Sequence, residues 1–210
     1  MPPLHSVLLF MAAGLALNIT PGPDMLYIAA RSTSEGRAAG VASALGIGAG
    51  TLVHITLVAA GLAALLRAVP TAYLAVKIAG GAYLVWLGAR ALRRAGAEYA
   101  AKALPPASRW SVFRQGIVTN VLNPKVALFF VAFLPQFIDP ARGSAALQVV
   151  ALGILFDIQG TIVNLIVALA ASGAAERLAR HGRSRSVLER ITGVVFLGLG
   201  ARLLMSGGSK

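Results

Sequence analysis

The sequence predicts an all-α membrane protein with six transmembrane helices, arranged as two inverted repeats of three helices. Three observations predict it: the composition, six long apolar blocks, and matching proline breaks in the first and fourth blocks. Of 210 residues, 57% are hydrophobic and only 12% are charged, about half the charged share of a soluble chain. We therefore expect a single transmembrane domain over residues 1–210. A cytosolic enzyme, a disordered chain and a nucleic-acid-binding protein are not expected.

Each apolar block is close to the roughly 20 residues that a helix needs to cross a bilayer. The blocks show no alternation of polar and apolar residues, so helices are expected rather than transmembrane strands. No Lys or Arg precedes the first block, which argues against a cleaved signal peptide. The absence of cysteine excludes disulfides and thiolate metal sites. The predicted spans are Leu4–Ala30, Ala38–Leu66, Pro70–Ala89, Gly116–Phe137, Ala145–Ser172 and Val187–Met205.

The net charge of +12 is divided unequally between the two sides of these spans. Thirteen of the 19 Lys and Arg residues fall in the connections after the first, third and fifth spans, including a basic loop over residues 90–115. Because Lys and Arg favour the cytoplasmic side, these connections are predicted to be cytoplasmic and both termini to face outward. The basic charge thus indicates orientation, and nucleic acid is not an expected partner.

Two pairs of segments resemble each other about 100 residues apart. Lys77–Arg90 aligns with Arg190–Arg202 after deletion of one residue, and Asn18-Ile-Thr-Pro21 recurs as Asn120-Val-Leu-Asn-Pro124. The predicted repeats cover about residues 1–97 and 116–206. Three spans are an odd number, so the second repeat would enter the membrane from the opposite side, as in many secondary transporters. The alternative is chance similarity between apolar, glycine-rich helices.

The first span contains a segment that cannot continue as regular helix, Asn18-Ile-Thr20-Pro21-Gly-Pro-Asp24. Its two prolines lack N–H donors and clash with carbonyls one turn earlier. Lipid offers no replacement hydrogen bonds, so the freed backbone groups must face protein or water. The fourth span repeats the break at Asn120, Asn123, Pro124 and Lys125. Such paired breaks favour a transport site, and the alternative is a structural kink in each span.

These motifs together resemble the signature of the LysE/RhtB family of amino-acid exporters. They are Asn18-x-x-Pro-Gly-Pro-Asp24, Gly36-Arg-x-x-Gly40, Lys77-x-x-Gly-x-x-Tyr-Leu-x-x-Leu-Gly88, Asn123-Pro-Lys-x-x-Leu-Phe-Phe130 and Pro135-Gln-Phe137. The resemblance covers the whole chain and implies an exporter in the bacterial inner membrane, driven by the proton gradient. In that membrane, the orientation predicted from the Lys and Arg residues places both termini in the periplasm. The resemblance implies an amino-acid substrate, protons and membrane lipid as partners, permits a homodimer, and implies no cofactor. The substrate stays open between the homoserine, threonine and leucine class and the basic amino acids.

Four charged residues are expected within spans, where a charge is expensive and needs a partner or a task. They are Asp24, Lys77, Lys125 and Asp157. Asp157, Thr161 and Asn164 are spaced to share one face of the fifth span, which should point inward. Asp157 is expected to exchange protons or hold a substrate ammonium; the alternative is a structural ion pair with Lys125. Lys77 is near enough to the outer end of its span to reach the interface instead of acting in transport.

The breaks supply the other candidate site residues. Lys125 and Asn123 are expected to hold a substrate carboxylate, together with N–H groups at the start of a half-helix. Asp24 is expected either to bind the ammonium or to cap the helix that resumes after the break. The remaining candidates at the breaks are expected to satisfy backbone groups and to line the path: Asn18, Thr20, Pro21 and Asn120.

The second span carries small residues at four-residue spacing together with one histidine. Ser43, Gly46, Gly50 and Gly61 are expected to permit close helix packing. His54 lies on the same face, and it is expected to be a packed histidine bonded to a neighbour; titration during transport is the alternative.

Three other functions compete with an amino-acid exporter. A membrane-embedded enzyme would need a nucleophile with a base or a metal site, but the sequence contains neither HExxH nor Gly-x-Ser-x-Gly. A divalent metal-ion exporter would need more ligands than two separated intramembrane acids, so no metal site is assigned. A channel would also use polar spans, but paired breaks suit alternating access better than an open pore.

Overall fold

The computed structural model describes residues 2–68 and 105–178, with isolated positions between 78 and 93 and between 190 and 205. The described residues are helical and include no strand. The helices are α1 (Leu4–Ile19), α2 (Pro23–Glu35), α3 (Arg37–Ala68), α4 (Arg109–Val121), α5 (Pro124–Leu128) and α6 (Ala145–Leu178). A π-helical turn over Phe129–Phe133 and 3-10 turns over Leu134–Phe137 and Pro140–Arg142 connect α5 to α6.

Four of the predicted spans can be compared with the described residues. Helices α3 and α6 are each long and apolar enough to cross a membrane. Two further candidate spans are bent: α1 with α2, by 49°, and α4 with the segment Pro124–Phe137, by 47°. Most of the predicted third and sixth spans, including Lys77, lies outside the described residues. The six-span inverted arrangement therefore stays a prediction.

Both breaks lie where the prolines predict them. Helix α1 ends at Ile19, Thr20 is extended, and α2 resumes with Pro23 in its first turn, where a proline's missing N–H costs nothing. Helix α4 ends at Val121 and α5 resumes at Pro124.

Two predicted spans were too short, because hydropathy marks where the apolar residues end and polar turns extend the helices further. Helix α2 runs past the predicted Ala30 to Glu35, and α4 begins at Arg109 rather than Gly116. Helix α6 continues to Leu178, but its apolar part, Ala145–Ala171, agrees with the predicted span. The Ser108 side chain stabilises the start of α4 by accepting a hydrogen bond from the Ser111 amide at 3.2 Å.

Helix α3 packs along both α4 and α6, and glycines set the close approach to α4. A Cβ on Gly50 would lie 2.8 Å from Asn120 Cβ, and one on Gly116 would lie 2.8 Å from the Ser43 carbonyl oxygen. Gly46 likewise contacts the Phe113 main chain. The predicted packing role is confirmed for Gly46 and Gly50. For Gly61 this role stays a prediction, because an added Cβ there would meet no atom of the described residues within 4 Å.

The predicted third and sixth spans touch at one described position. A Cβ on Gly200 would lie 2.7 Å from Val85 Cγ2 and 2.9 Å from the Gly81 carbonyl oxygen. Gly200 and Val85 both belong to the two similar segments found in the sequence, so these segments contact each other here.

A cluster of phenylalanines packs α1, α6 and the turns after α5 together. Phe10 is fully buried, with its ring centroid 5.5 Å from that of Phe129 and 5.4 Å from that of Phe137. Phe129 stacks on Phe156 of α6 at 5.0 Å. Phe10 precedes Asn18 by about 12 Å of helical rise. The cluster therefore lies on the α1 side of the first break.

Candidate functional site

Three hydrogen bonds join the two helix breaks. The Lys125 ammonium donates to the carbonyl oxygens of Leu17 and Thr20, each at 3.0 Å. Asn120 Nδ2 donates to Asp24 Oδ2 at 2.8 Å. Residues about 100 positions apart in the sequence are thus fixed against each other at the point where both spans lose regular helix.

Lys125 takes its partners from the main chain. Its side chain is buried and passes Gly22, where a Cβ would lie 3.1 Å from Nζ. The ion pair with Asp157 that the sequence allowed is wrong: within residues 2–68 and 105–178, the salt bridges are Arg31–Glu35 and Arg142–Asp139. The reason is local: the Leu17 carbonyl accepts the ammonium in addition to the Thr20 amide, and the Thr20 carbonyl, just past the end of α1, accepts it as well.

A small polar cavity lies between the two breaks, α3 and α6. Eight predicted site residues line it: Asn18, Thr20, Asp24, Asn120, Lys125, Asp157, Thr161 and Asn164. Its other lining residues are Met25, Ile47, Gly48, Thr51, Val126, Phe156 and Gly160. The free space at its centre is room for about one or two water molecules. A larger ligand would need the surrounding helices to move.

Two buried polar atoms at this cavity have no hydrogen-bond partner among the described residues, Asp24 Oδ1 and Asn18 Nδ2. One is an acceptor on a carboxylate and the other is a neutral amide donor. A buried polar atom without a partner costs about 1–3 kcal/mol. The site therefore offers one acceptor and one donor to whatever occupies it. The Asn18 amide packs against Gly160, where a Cβ would lie 3.0 Å from Nδ2.

The predicted shared face of α6 is confirmed, since Asp157, Thr161 and Asn164 line the same cavity. Gly48 of α3 stands opposite: a Cβ there would lie 2.8 Å from Thr161 Oγ1 and 3.4 Å from Asp157 Oδ1. The glycine gives the carboxylate and the hydroxyl room between two closely packed helices. Asp157 itself is only half-buried.

Two predicted site residues, Pro21 and Asn123, do not line the cavity. Asn123 caps α5, because its Oδ1 accepts a hydrogen bond from the Lys125 amide at 3.0 Å. The Asp24 side chain does not cap α2, and its carboxylate accepts a hydrogen bond from Asn120 instead. Thr20 turns its hydroxyl back to the Ala16 carbonyl at 2.6 Å.

His54 is the packed histidine that the sequence favours. Its Nε2–H donates to the Asn120 carbonyl oxygen at 3.1 Å, and its ring stacks on Phe130 with centroids 5.9 Å apart. His54 thus holds the main chain of the residue whose side chain binds Asp24.

Sequence reasoning missed two parts of the site. Thr51 lines the cavity and its hydroxyl lies 3.4 Å from Asn120 Oδ1; its position one turn before His54 was the available signal. Asn120 Oδ1 is thereby contacted as well as Nδ2, so both polar atoms of this amide are engaged.

The second omission is a buried network at the end of α2. Arg31, which hydropathy assigns to a loop, is only 3% exposed and pairs with Glu35. Its guanidinium also donates to Gln115 Oε1 at 2.7 Å and to the Pro105 carbonyl at 2.8 Å. Glu35 accepts from the Ala107 amide at 2.9 Å. We call Arg31, Glu35 and Gln115 the arginine network; it ties the end of α2 to α4 and the segment before it.

Comparison with known proteins gives the chain its family. The model of the LysE type translocator family matches residues 15–207. The chain is 31% identical over 197 residues to a homoserine/homoserine lactone efflux protein of Salmonella typhimurium, covering 92% of this chain and 93% of that protein. It is also 30% identical over 203 residues to an uncharacterized membrane protein of Vibrio cholerae, covering 95% of this chain and 97% of that protein.

No solved structure matches the chain. The family model covers both helix breaks, the end of α1 and all of α2 to α6. The relatives of this chain include proteins named as membrane proteins and as efflux proteins, and this agrees with the apolar helices of the chain. The chain belongs to the LysE type translocator family, and it is a membrane transporter rather than an enzyme.

Proposed function

We propose that this chain exports amino acids across the bacterial inner membrane by proton antiport, with both termini in the periplasm. The cavity between the two breaks is the transport site in this proposal. The observation that carries it is that one buried cavity contains an acceptor, Asp24 Oδ1, and a donor, Asn18 Nδ2, neither of which has a hydrogen-bond partner among the described residues.

An amino acid is complementary to these two atoms. Its ammonium would donate to Asp24 Oδ1, while Oδ2 keeps its bond from Asn120. Its carboxylate would accept from Asn18 Nδ2, with the Lys125 charge at the same cavity to favour an anion. Each buried atom would then gain the partner that it lacks, and charge-assisted hydrogen bonds are the stronger kind.

The side chain of the substrate would meet hydroxyl and amide groups. Thr51, Thr161 and Asn164 line the cavity and suit a short polar side chain such as that of homoserine or threonine. Asn18 is neutral, so its amide can donate to an ester carbonyl as well as to a carboxylate. This tolerance fits homoserine and its lactone, the two compounds in the name of the Salmonella relative.

Asp157 is the proposed proton site. It lies on the same cavity as Asp24 but on a different helix, beside the Thr161 hydroxyl. A carboxylate at membrane depth is costly when charged. Taking up a proton removes that cost. In the proposed antiport, Asp157 takes up a proton from the periplasm after the substrate has left, and releases it to the cytoplasm before the next substrate binds.

Alternating access would require both ends of the cavity to open in turn. The phenylalanine cluster closes the α1 side, and the arginine network lies beyond the α2 side. Under the predicted orientation, the first is the periplasmic barrier and the second is the cytoplasmic one. The small central space fits an occluded arrangement with neither end open.

The test uses everted membrane vesicles from bacteria that express this chain. With an acidic interior, radiolabelled homoserine should accumulate, and a protonophore should abolish the accumulation. Threonine, leucine and lysine are tested in parallel to define the substrate class. Asp24→Asn should remove transport, whereas Asp139→Asn, an exposed carboxylate outside the cavity, should not. Correctly inserted protein that moves none of the four amino acids would refute the proposal.

A further inference from the structure

Substrate binding does not explain why the Lys125 ammonium is held by main-chain carbonyls. Its ammonium donates to two main-chain carbonyls, Leu17 and Thr20, at the end of a half-helix. In membrane transporters built on broken helices, unwound carbonyls and the C-terminal ends of half-helices are the groups that coordinate the coupling cation. In this chain a lysine occupies that place.

The electrostatics of the break favour a cation there. The Leu17 carbonyl accepts the Thr20 amide at 3.1 Å with one lone pair and keeps a second lone pair for a cation. Thr20 lies just past the end of α1, and the C-terminal end of a helix carries the negative end of its dipole. Carbonyl oxygens of this kind replace the hydration shell of alkali cations in membrane proteins. A cation at Leu17 and Thr20 is therefore expected from the backbone alone, whichever group supplies it.

The lysine is built into this position. Asn123 fixes its backbone amide at 3.0 Å, and α5 begins one residue earlier with Pro124. Its stem runs past Gly22, where a Cβ would lie 3.1 Å from Nζ and 3.4 Å from Cε. A side chain at position 22 would push the ammonium away from the two carbonyls. Lys125 is 8% exposed, so the charge is held inside the protein.

We propose that the Lys125 ammonium acts as a tethered cation, filling at the first break the place that a free alkali cation takes in ion-coupled transporters. This inference rests on the proposed function, since it concerns the same transport site. It has two consequences. Transport by this chain needs no Na⁺ or K⁺, and removal of the ammonium creates a vacant site that a small cation from solution can occupy.

The first arm of the experiment uses the wild-type protein in liposomes, with homoserine counterflow measured in choline, Na⁺ and K⁺ buffers. Choline is too bulky for the space between Gly22 and the two carbonyls. Equal rates in the three buffers are expected. A wild-type rate that requires Na⁺ or K⁺ would overturn the inference, whereas no homoserine transport in any buffer would overturn the proposed function instead.

The second arm uses Lys125→Ala and Lys125→Met. Loss of two charge-assisted hydrogen bonds should lower counterflow in choline buffer by about 10- to 100-fold in both variants. Methylammonium or K⁺ should restore Lys125→Ala at least severalfold. Lys125→Met should not recover, because its side chain fills the vacated space without a charge. Arg114→Gln, an exposed cation on α4, is the control for a general effect of lost positive charge.

A third arm reads cation binding without transport. Methylammonium or K⁺ should raise the Tm of purified Lys125→Ala above its value in choline, and should leave the Tm of wild type and Lys125→Met unchanged. Rescue of Lys125→Ala together with this stabilisation supports the tethered cation. Lys125→Ala with wild-type activity, or with a loss that no cation relieves in either assay, would overturn it.

Discussion

Asn120 of α4 donates a 2.8 Å hydrogen bond to Asp24 of α2, although 96 residues separate them. The same asparagine is held through its carbonyl by His54 and through Oδ1 by Thr51. One buried amide therefore connects both helix breaks to α3. This arrangement leaves the second oxygen of Asp24 free to face the cavity.

Asp24→Asn should reduce homoserine export by about 100-fold, because a neutral amide cannot replace a carboxylate opposite an ammonium. The bond to Asn120 can persist, since the new side chain keeps an oxygen at this position. Export from preloaded cells measures the effect, with protein in the membrane quantified by immunoblot. Asp139→Asn is the matched control, and equal loss in both variants would contradict the assigned role.

Asp157→Asn should abolish export driven by a pH gradient and retain homoserine exchange at equal pH. The amide cannot take up and release a proton, but it preserves the size of the side chain beside Gly48. Vesicle accumulation and counterflow separate the two activities. If gradient-driven accumulation survives in Asp157→Asn, the proton is carried elsewhere.

Gly46→Ala should destabilise the protein, because a methyl group at this position collides with the Phe113 main chain. Overpacking of this kind costs about 1–3 kcal/mol. Gly61→Ala is the control on the same helix, where the added methyl group would meet no atom of the described residues within 4 Å. Thermal unfolding in detergent should give a lower Tm for Gly46→Ala only. Equal Tm values would mean that α3 and α4 pack less closely than described.

Arg31→Gln should loosen the α2 side of the cavity, beyond which the arginine network lies. The chain has no cysteine, so Thr161→Cys provides a single thiol within the cavity. Loss of charged hydrogen bonds to Glu35 and Gln115 should raise the rate of thiol labelling by an impermeant reagent about tenfold in everted vesicles. Arg114→Gln in the same background should leave it unchanged. If Arg31→Gln speeds labelling only when the reagent is added to the periplasmic face, the predicted orientation of the chain in the membrane is wrong.

Reporter fusions at Arg94 and Arg183 should read as cytoplasmic, and a fusion at the C-terminus as periplasmic. The uneven distribution of Lys and Arg between the two sides of the spans is the physical reason. Paired phosphatase and fluorescent-protein fusions give opposite signals for each side. A cytoplasmic C-terminus would contradict the six-span inverted arrangement.

The breaks could be predicted from the sequence, because prolines at positions 21, 23 and 124 remove donors wherever the chain folds. The shared face of Asp157, Thr161 and Asn164 could be predicted as well, since helical periodicity alone sets it. Which partner each polar group takes could not be predicted. Asp24 meets Asn120, and Lys125 meets the end of α1, only because α2 and α4 approach each other in the folded chain.

The burial of Arg31 could not be predicted from the sequence, for a related reason. Hydropathy treats an arginine at the end of an apolar block as a loop charge. Its burial depends on Glu35, one turn later, and on Gln115, which comes from a distant helix. The same limit applies to the glycines, because the contact of Gly46 with the Phe113 main chain depends on where α4 lies in the folded chain.

The central claim is that Asp24 receives the ammonium of an amino acid between the two breaks. Competition against homoserine counterflow tests it most directly, with 4-hydroxybutyrate, which lacks only the ammonium, compared with homoserine lactone, which keeps it. The lactone should compete in the wild-type protein and 4-hydroxybutyrate should not. In a binding assay without transport, the lactone should raise the Tm of the wild-type protein but not that of Asp24→Asn. Competition by 4-hydroxybutyrate as strong as that by unlabelled homoserine would contradict the account.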